Sequence, residues 1–226
     1  MPATVKTTTT TTTNGTLRAS MAQAPMKKRP AKAPPAAKQE AAGVALFYSK
    51  SKDADTPFAE KCGGKNWRKY LSNFTLVPGG LVIGGTSWPS VEHYFQAMKW
   101  RLATNKPNGA KAFTRSDLPP AEAKRKGGKA AMKAEGAELN FAKWKEASGG
   151  VMRSAVEARY EQDGRFARIL NAAKQEKLRL VHFERSGAKS HWGAHVDWAH
   201  ENKVLGGNAL GVTMSMVALG VNVKFD

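Results

Sequence analysis

The sequence predicts a single helix-rich α+β domain with a small β-sheet, carried behind an unstructured basic tail. Three observations lead there. Near Val44 the composition changes from Thr, Ala, Pro and Lys without one aromatic residue to a chain rich in Trp, Phe and Leu. Beyond that point the apolar, β-rich runs are short, whereas segments with helical start and stop signals are longer. The 226 residues, 41% of them hydrophobic, suffice for one domain with a proper core.

Residues 1–43 hold a seven-Thr run, Thr7 to Thr13, and then Ala, Pro and Lys. Such a segment cannot bury enough apolar surface to offset its ordering entropy, so disorder is expected. The cluster from Pro25 to Lys32 resembles a short nuclear-localisation signal. A Ser/Thr-rich stretch with no acid before Glu40 equally suits an organellar transit peptide, and the sequence does not separate the two.

From Val44, residues 45–49 read as a strand and 50–69 as a charged loop. Residues 71–76 and 81–83 read as short strands joined by a hairpin turn at Val77-Pro78-Gly79-Gly80. Pro89 has a fixed φ and needs no backbone donor, so it suits the first turn of a helix running to Trp100, with Ser87 or Trp88 as its cap. Residues 119–136, 151–160 and 165–173 read as further helices, 178–184 as a strand, and Ala209 to Leu219 as a closing apolar helix.

The helix behind Pro89 carries the densest chemistry. Glu92, Gln96 and Lys99 stand at i, i+4 and i+7, which stacks a carboxylate, an amide and an amine along one face. Val91, Tyr94, Phe95 and Met98 take the other face, and Trp88, His93, Tyr94 and Trp100 flank the polar stripe. Large aromatics around a carboxylate suggest a pocket. Near the C-terminus, Leu205-Gly206-Gly207-Asn208 precedes the last helix, with Asn208 placed to cap it. Free backbone donors and the positive end of a helix dipole there suit a phosphate.

Charge points to a polyanion. The formal net charge is +18, and the tail, with seven Lys or Arg against Glu40 alone, accounts for +6. The folded part keeps +12, beyond the roughly 2–8 that solubility asks of a small domain. Summed positive charge steers phosphate-bearing ligands and gives non-specific nucleic-acid affinity. The single cysteine, Cys62, excludes an intramolecular disulfide and fits a reducing nuclear or cytoplasmic compartment. No run of about 18 apolar residues exists, so no membrane span is expected. His191 and His195 are four apart, but Gly193 lies between them and no third ligand follows at motif spacing, so neither a metal nor another cofactor is expected.

The segment Ser-Trp-Pro-Ser-Val-Glu-His-Tyr-Phe-Gln-Ala-Met-Lys, residues 87–99, resembles the signature helix of the YbiA-like family, also called NADAR. Phe47-Tyr48-Ser49, Leu71-Ser72-Asn73-Phe74, Trp144, Val151-Met152-Arg153, Trp192-Gly193 and Asn208-Ala209-Leu210-Gly211 follow the family's order, so the resemblance spans about residues 44–220. It implies a helix-rich α+β N-glycosidase that cleaves the bond between a ribose anomeric carbon and a nitrogen. Two substrate classes go with it: ADP-ribose joined to guanine in nucleic acid, and phosphoribosylated aminopyrimidines of riboflavin biosynthesis. On that resemblance Glu92 is the candidate catalytic carboxylate, and Lys99 either a phosphate or ribose ligand or a Schiff-base nucleophile. Ser72, Asn73, Trp88, Tyr94, Trp144, Trp192, Gly193 and Asn208 are the candidate substrate contacts. The chain departs from the family at Lys189, where relatives carry Asp, and in a longer loop after Trp-Gly, where Asp197 is the candidate replacement acid. Gly127-Gly128 also stands where relatives have Gly-Arg, so the anion-binding arginine is either lost or supplied by Arg125. A non-catalytic module for ADP-ribose or nucleic acid is the competing class.

Overall fold

The computed structural model describes residues 33–52, 56–103 and 105–221, and the basic cluster at 25–32 and the Thr run lie outside the described residues. The described residues form one compact unit. A parallel pair, β1 (Val44–Phe47) and β4 (Arg179–His182), lies at its centre, with Val44 opposite Arg179 and Phe47 opposite His182. Every β1 residue is buried, as a parallel strand covered on both faces should be. Helices supply the rest of the core: α4 (Val91–Arg101) packs on α7 (Phe141–Gln162), α7 on α8 (Gly164–Gln175) and on α9 (Ala209–Leu219), and α9 on β4.

Several elements differ from what the sequence predicts. Residues 36–41, expected in the tail, form a short helix, α1 (Ala36–Ala41). It is held by the buried Arg68 guanidinium, which reaches Gln39 Oε1 at 2.5 Å and Glu40 Oε1 at 3.0 Å. The expected loop at 50–69 contains α2 (Pro57–Lys61) and α3 (Trp67–Tyr70). Thr56 caps α2 by accepting from Ala59 N–H, with Pro57 at the first helical position, a start signal too brief to weigh against the charged surroundings.

Residues 71–76 are a turn and not a strand. The Ser72 hydroxyl accepts from Phe74 N–H, a local bond that competes with strand pairing. From α7, Arg159 donates to the carbonyls of Tyr70 and Ser72. The hairpin therefore forms one step later: β2 (Leu81–Ile83) pairs with β3 (Thr86–Trp88) across Gly84-Gly85, both at positive φ. A two-residue loop with two positive φ values matches the twist of the flanking strands, which a Pro-led loop does not.

With Thr86–Trp88 in a strand, the cap of α4 falls on Ser90, and Pro89 stands just outside the helix. Ser90 Oγ accepts from His93 N–H at 3.4 Å and donates to His93 Nδ1 at 2.8 Å. That direction follows from the other ring nitrogen, which lies 2.8 Å from the Leu118 carbonyl and must donate to it. Burial, only partly opposed by that bond to Leu118, lowers the His93 pKa and keeps it neutral. His93 is a structural strut. It ties the start of α4 to the loop before the next helix.

The expected helix over 119–136 breaks into α5 (Pro120–Lys126) and α6 (Lys129–Ala134) at Gly127-Gly128. A Cβ on Gly127 would stand 2.1 Å from Gln96 Oε1, so only glycine lets this elbow close on α4. Conversely α7 runs through Gly149-Gly150, where the sequence suggests a start near Val151. Two helical glycines cost about 1 kcal/mol each, and packing of α7 against α4, α8 and α9 outweighs that.

The closing helix α9 has the predicted bounds, and Asn208 holds its cap position, but its side chain makes no capping bond. It reaches β4 instead, Oδ1 accepting from His182 N–H and Nδ2 donating to Leu180 O, each at 2.9 Å. Gly211 lets α9 approach that strand, since a Cβ there would lie 2.2 Å from Leu180 O. Asn208→Ala leaves two backbone groups of β4 unpaired, one buried and one half-buried, and is expected to cost about 2 kcal/mol in urea unfolding. No helix among the described residues is long and apolar enough to cross a membrane.

Candidate functional site

One face of α4 opens into a cavity of about 570 Å³. Glu92, Phe95, Gln96 and Lys99 line it from the helix, and Tyr48, Ser49, Ser72, Asn73 and Phe74 from the turns after β1 and α3. Trp144 and Met152 of α7, Lys124 of α5, His182 to Arg185 at the end of β4, Trp192 and Leu210 complete the wall. The helix N-terminus is docked directly onto the opposite rim, because Glu92 N–H donates to Asn73 O at 3.1 Å. Phe95 forms edge-to-face pairs with Trp144 at 4.9 Å and Trp192 at 5.4 Å, an apolar floor beneath the charged groups.

Of the residues singled out in the sequence, Glu92, Lys99, Ser72, Asn73, Trp144 and Trp192 meet in this cavity, together with Gln96. Gly193 and Asn208 lie immediately behind it. A Cβ on Gly193 would come within 2.5 Å of Glu184 Cγ and 2.9 Å of His182 O, so its bare backbone makes room for both.

Trp88, Tyr94, Asp197 and Arg125 do not line the cavity. Trp88 is 1% exposed and pairs with Tyr94 at 5.6 Å, with Arg101 over its other side. Two helical positions from Glu92, Tyr94 is turned about 200° away from it. Asp197 sits in the hairpin of β5 (His195–Asp197) and β6 (Lys203–Leu205), where it accepts from Ala199 N–H and pairs with His200. The acid that this part of the chain does bring to the cavity is Glu184, held by the Ser190 hydroxyl. Arg125 is engaged with Glu122 on the surface, and its neighbour Lys124 is the cation that α5 brings to the cavity. His195 packs on Phe183 and His191 on Trp192, and among the described residues no group of three metal-ligating side chains gathers.

The residues missed in the sequence are Tyr48, Phe95, Lys124, His182, Glu184 and Arg185. A signal existed for three of them: His182, Glu184 and Arg185 crowd the C-terminal end of the predicted strand 178–184, and charged groups at a strand end seldom serve packing. Helical spacing puts Phe95 on the apolar face, yet it lines the cavity between Glu92 and Lys99.

Electrostatically the cavity holds Glu92, Lys99 and His182 toward neutrality. Desolvation raises the Glu92 carboxyl above its usual 4.5, and Glu184 adds to that. The amide of Gln96, which donates to Glu92 Oε1 at 2.7 Å, and the more distant Lys124 and Lys99 pull the other way. Glu92 and Lys99 form no ion pair. Lys99 instead donates to Gly127 O at 3.3 Å and lies 5.5 Å above the rings of Phe95 and Trp144. Desolvation lowers its amine pKa and Lys124 lowers it further, against the attraction of Glu92. His182 is also lowered, first by burial and then by Lys124, although Glu184 and the Trp192 carbonyl oppose the shift. A carbonyl only accepts, so His182 Nδ1 carries the proton toward Trp192 O at 3.3 Å, leaving Nε2 with its lone pair.

Two amide oxygens, Asn73 Oδ1 and Gln96 Oε1, are buried with no hydrogen-bond donor. Each such acceptor costs about 1–3 kcal/mol, and both sit within the cavity wall, Gln96 Oε1 packed against Gly127.

The raised Glu92 pKa has a testable sign. The folded state holds this proton more tightly than the unfolded chain, so the contribution is fully present below 4.5 and is lost as pH rises through the folded value. Glu92→Gln, with no proton to lose, is therefore expected to gain stability relative to the natural protein as pH rises from about 4.5. Urea midpoints across that range check it, and parallel pH profiles for the two proteins would contradict it.

With this geometry in view, three comparisons with known proteins bear on the chain. The NADAR domain profile matches residues 46–218. Among curated proteins no match is found. Among solved structures, the chain is similar to the NMR structure of the E. coli protein YbiA, at 23% identity over 78% of this chain and 84% of that one, with a TM-score of 0.51. At that identity the likeness concerns the fold.

Proposed function

Because the chain belongs to the NADAR family, we propose that its cavity hydrolyses a ribose–base N-glycosidic bond, and that the substrate is ADP-ribose carried on guanine in nucleic acid. The observation that carries this reading is Glu92: a buried carboxylate that lines the cavity and, among the described residues, has no ion-pair partner.

In the proposed reaction a water oxygen bonds to the anomeric carbon as the carbon–nitrogen bond breaks. The bonding pair leaves with the base nitrogen, and that nitrogen takes up a proton from solvent. Positive charge builds on the ribose ring meanwhile. Glu92 offsets that charge and receives the proton released by water, and its raised pKa makes it the stronger base for the task. Low local dielectric strengthens both effects. Asn73 and Gln96 lie in the wall beside the ribose, while Lys124, Arg185 and Lys99 face the pyrophosphate. The lowered Lys99 pKa also fits a second role, in which its free amine attacks C1 of the opened ribose and expels the base nitrogen, leaving a Schiff base that water then hydrolyses to the sugar and the free amine.

The charge of +12 outside the tail favours the nucleic-acid substrate over a monophosphate. Against a purely binding role stands the cost of burying Glu92, which a module without chemistry has no use for. Incubating the protein with ADP-ribosylated DNA and, separately, with the phosphoribosylated aminopyrimidine separates the readings. Release of ADP-ribose from the DNA is expected. Turnover of the aminopyrimidine alone would assign the cavity to the smaller substrate, and turnover of neither would remove the glycosidase reading.

A further inference from the structure

We infer that the cavity continues into a surface track that holds the strand next to the modified base, so that the protein acts on a polynucleotide in preference to a free nucleoside. This rests on the reading of the cavity as an ADP-ribosyl glycosidase site. The cavity of about 570 Å³ is of a size for one small ligand, commonly about 300–1,000 Å³. Whatever is attached to the leaving base must therefore lie outside it.

An exit exists on one side. A second concavity of about 450 Å³ adjoins the first and shares Ser49, Ser72 and Phe74 with it. Beyond Leu76 a third, of about 300 Å³, runs past Ser87 and Thr114. The junction is next to the reacting end, since Glu92 N–H is bonded to Asn73 O between Ser72 and Phe74.

The chemistry of the track suits a single strand. No carboxylate lines the second or third concavity. Lys69 is exposed and, among the described residues, forms no ion pair, so its ammonium is available to a phosphate. Asn66 has a left-handed backbone (φ 65°) and its side chain makes no capping bond, which leaves that amide free at the groove wall. Phe74, half-buried at the junction with Lys124 5.7 Å from its ring, and Leu76, 52% exposed, offer apolar surface on which bases can rest. Cations along a groove with apolar stacking surfaces are the general means by which single strands are held without sequence preference.

The test compares two substrates carrying the same ADP-ribosyl-guanine, one within a single-stranded oligodeoxynucleotide and one as the free deoxynucleoside. The natural protein is expected to show kcat/KM at least about tenfold higher on the strand, with a steeper salt dependence. Lys69→Glu is expected to lower the strand-to-nucleoside ratio by about tenfold and the salt slope by about one. Lys145→Glu, a residue lining neither concavity, should move the ratio far less. Equal efficiency on both substrates, or equal effects of the two variants, overturns the track while leaving the glycosidase reading intact. Release of ADP-ribose from neither substrate overturns both.

Discussion

Glu92→Gln is expected to lower kcat for ADP-ribose release by about 10³-fold or more, while free ADP-ribose binds within about threefold of its natural affinity. The substitution keeps the shape of the side chain and leaves an amide oxygen where Gln96 Nε2 now donates at 2.7 Å. What it removes is the charge. In water that charge would matter little at ligand distance, but at 6% exposure its field and its basicity act at low dielectric. Single-turnover rates and calorimetric titration with ADP-ribose give the two numbers separately. A variant that loses affinity and rate together would make Glu92 a ligand contact.

Arg159→Met is expected to cost about 3–5 kcal/mol of folding stability, read from urea unfolding. The guanidinium is fully buried, donates to Asp163 Oδ2 at 3.2 Å and to Tyr70 O at 2.7 Å and Ser72 O at 3.1 Å, and lies 4.2 Å from the centre of the Phe166 ring. Removing it strands a buried carboxylate that also caps α8 through Phe166 N–H and accepts from the Tyr70 hydroxyl. It also frees the turn that carries Ser72 and Asn73 to the cavity. Activity on the residual folded protein should then fall as well, although Arg159 lies outside the cavity lining.

Local signals were legible where they were self-contained. The bounds of β2 and α9 follow from short apolar runs between glycines, and the stacking of Glu92, Gln96 and Lys99 follows from helical spacing alone. Elements that depend on a distant partner were not legible. Leu71–Leu76 has strand composition, but Arg159, almost ninety residues away, claims the carbonyls of Ser72 and of Tyr70 just before it. The acid of the site shows the same limit. Asp197 and Glu184 are equally plausible along the chain, and only the parallel pairing of β1 with β4 brings the end of the latter strand to α4. Trp88 and Tyr94 illustrate a third case, in which an aromatic next to a functional helix face belongs to the core behind it.

The central claim is that this cavity cuts the ribose–base bond, and the identity of the cut is the most direct measure of it. Mass spectrometry of an oligonucleotide bearing one ADP-ribosyl-guanine, after incubation with the protein, is expected to show unmodified guanine and free ADP-ribose. An oligonucleotide left intact, or one that keeps a phosphoribosyl group on guanine with AMP released, would contradict it.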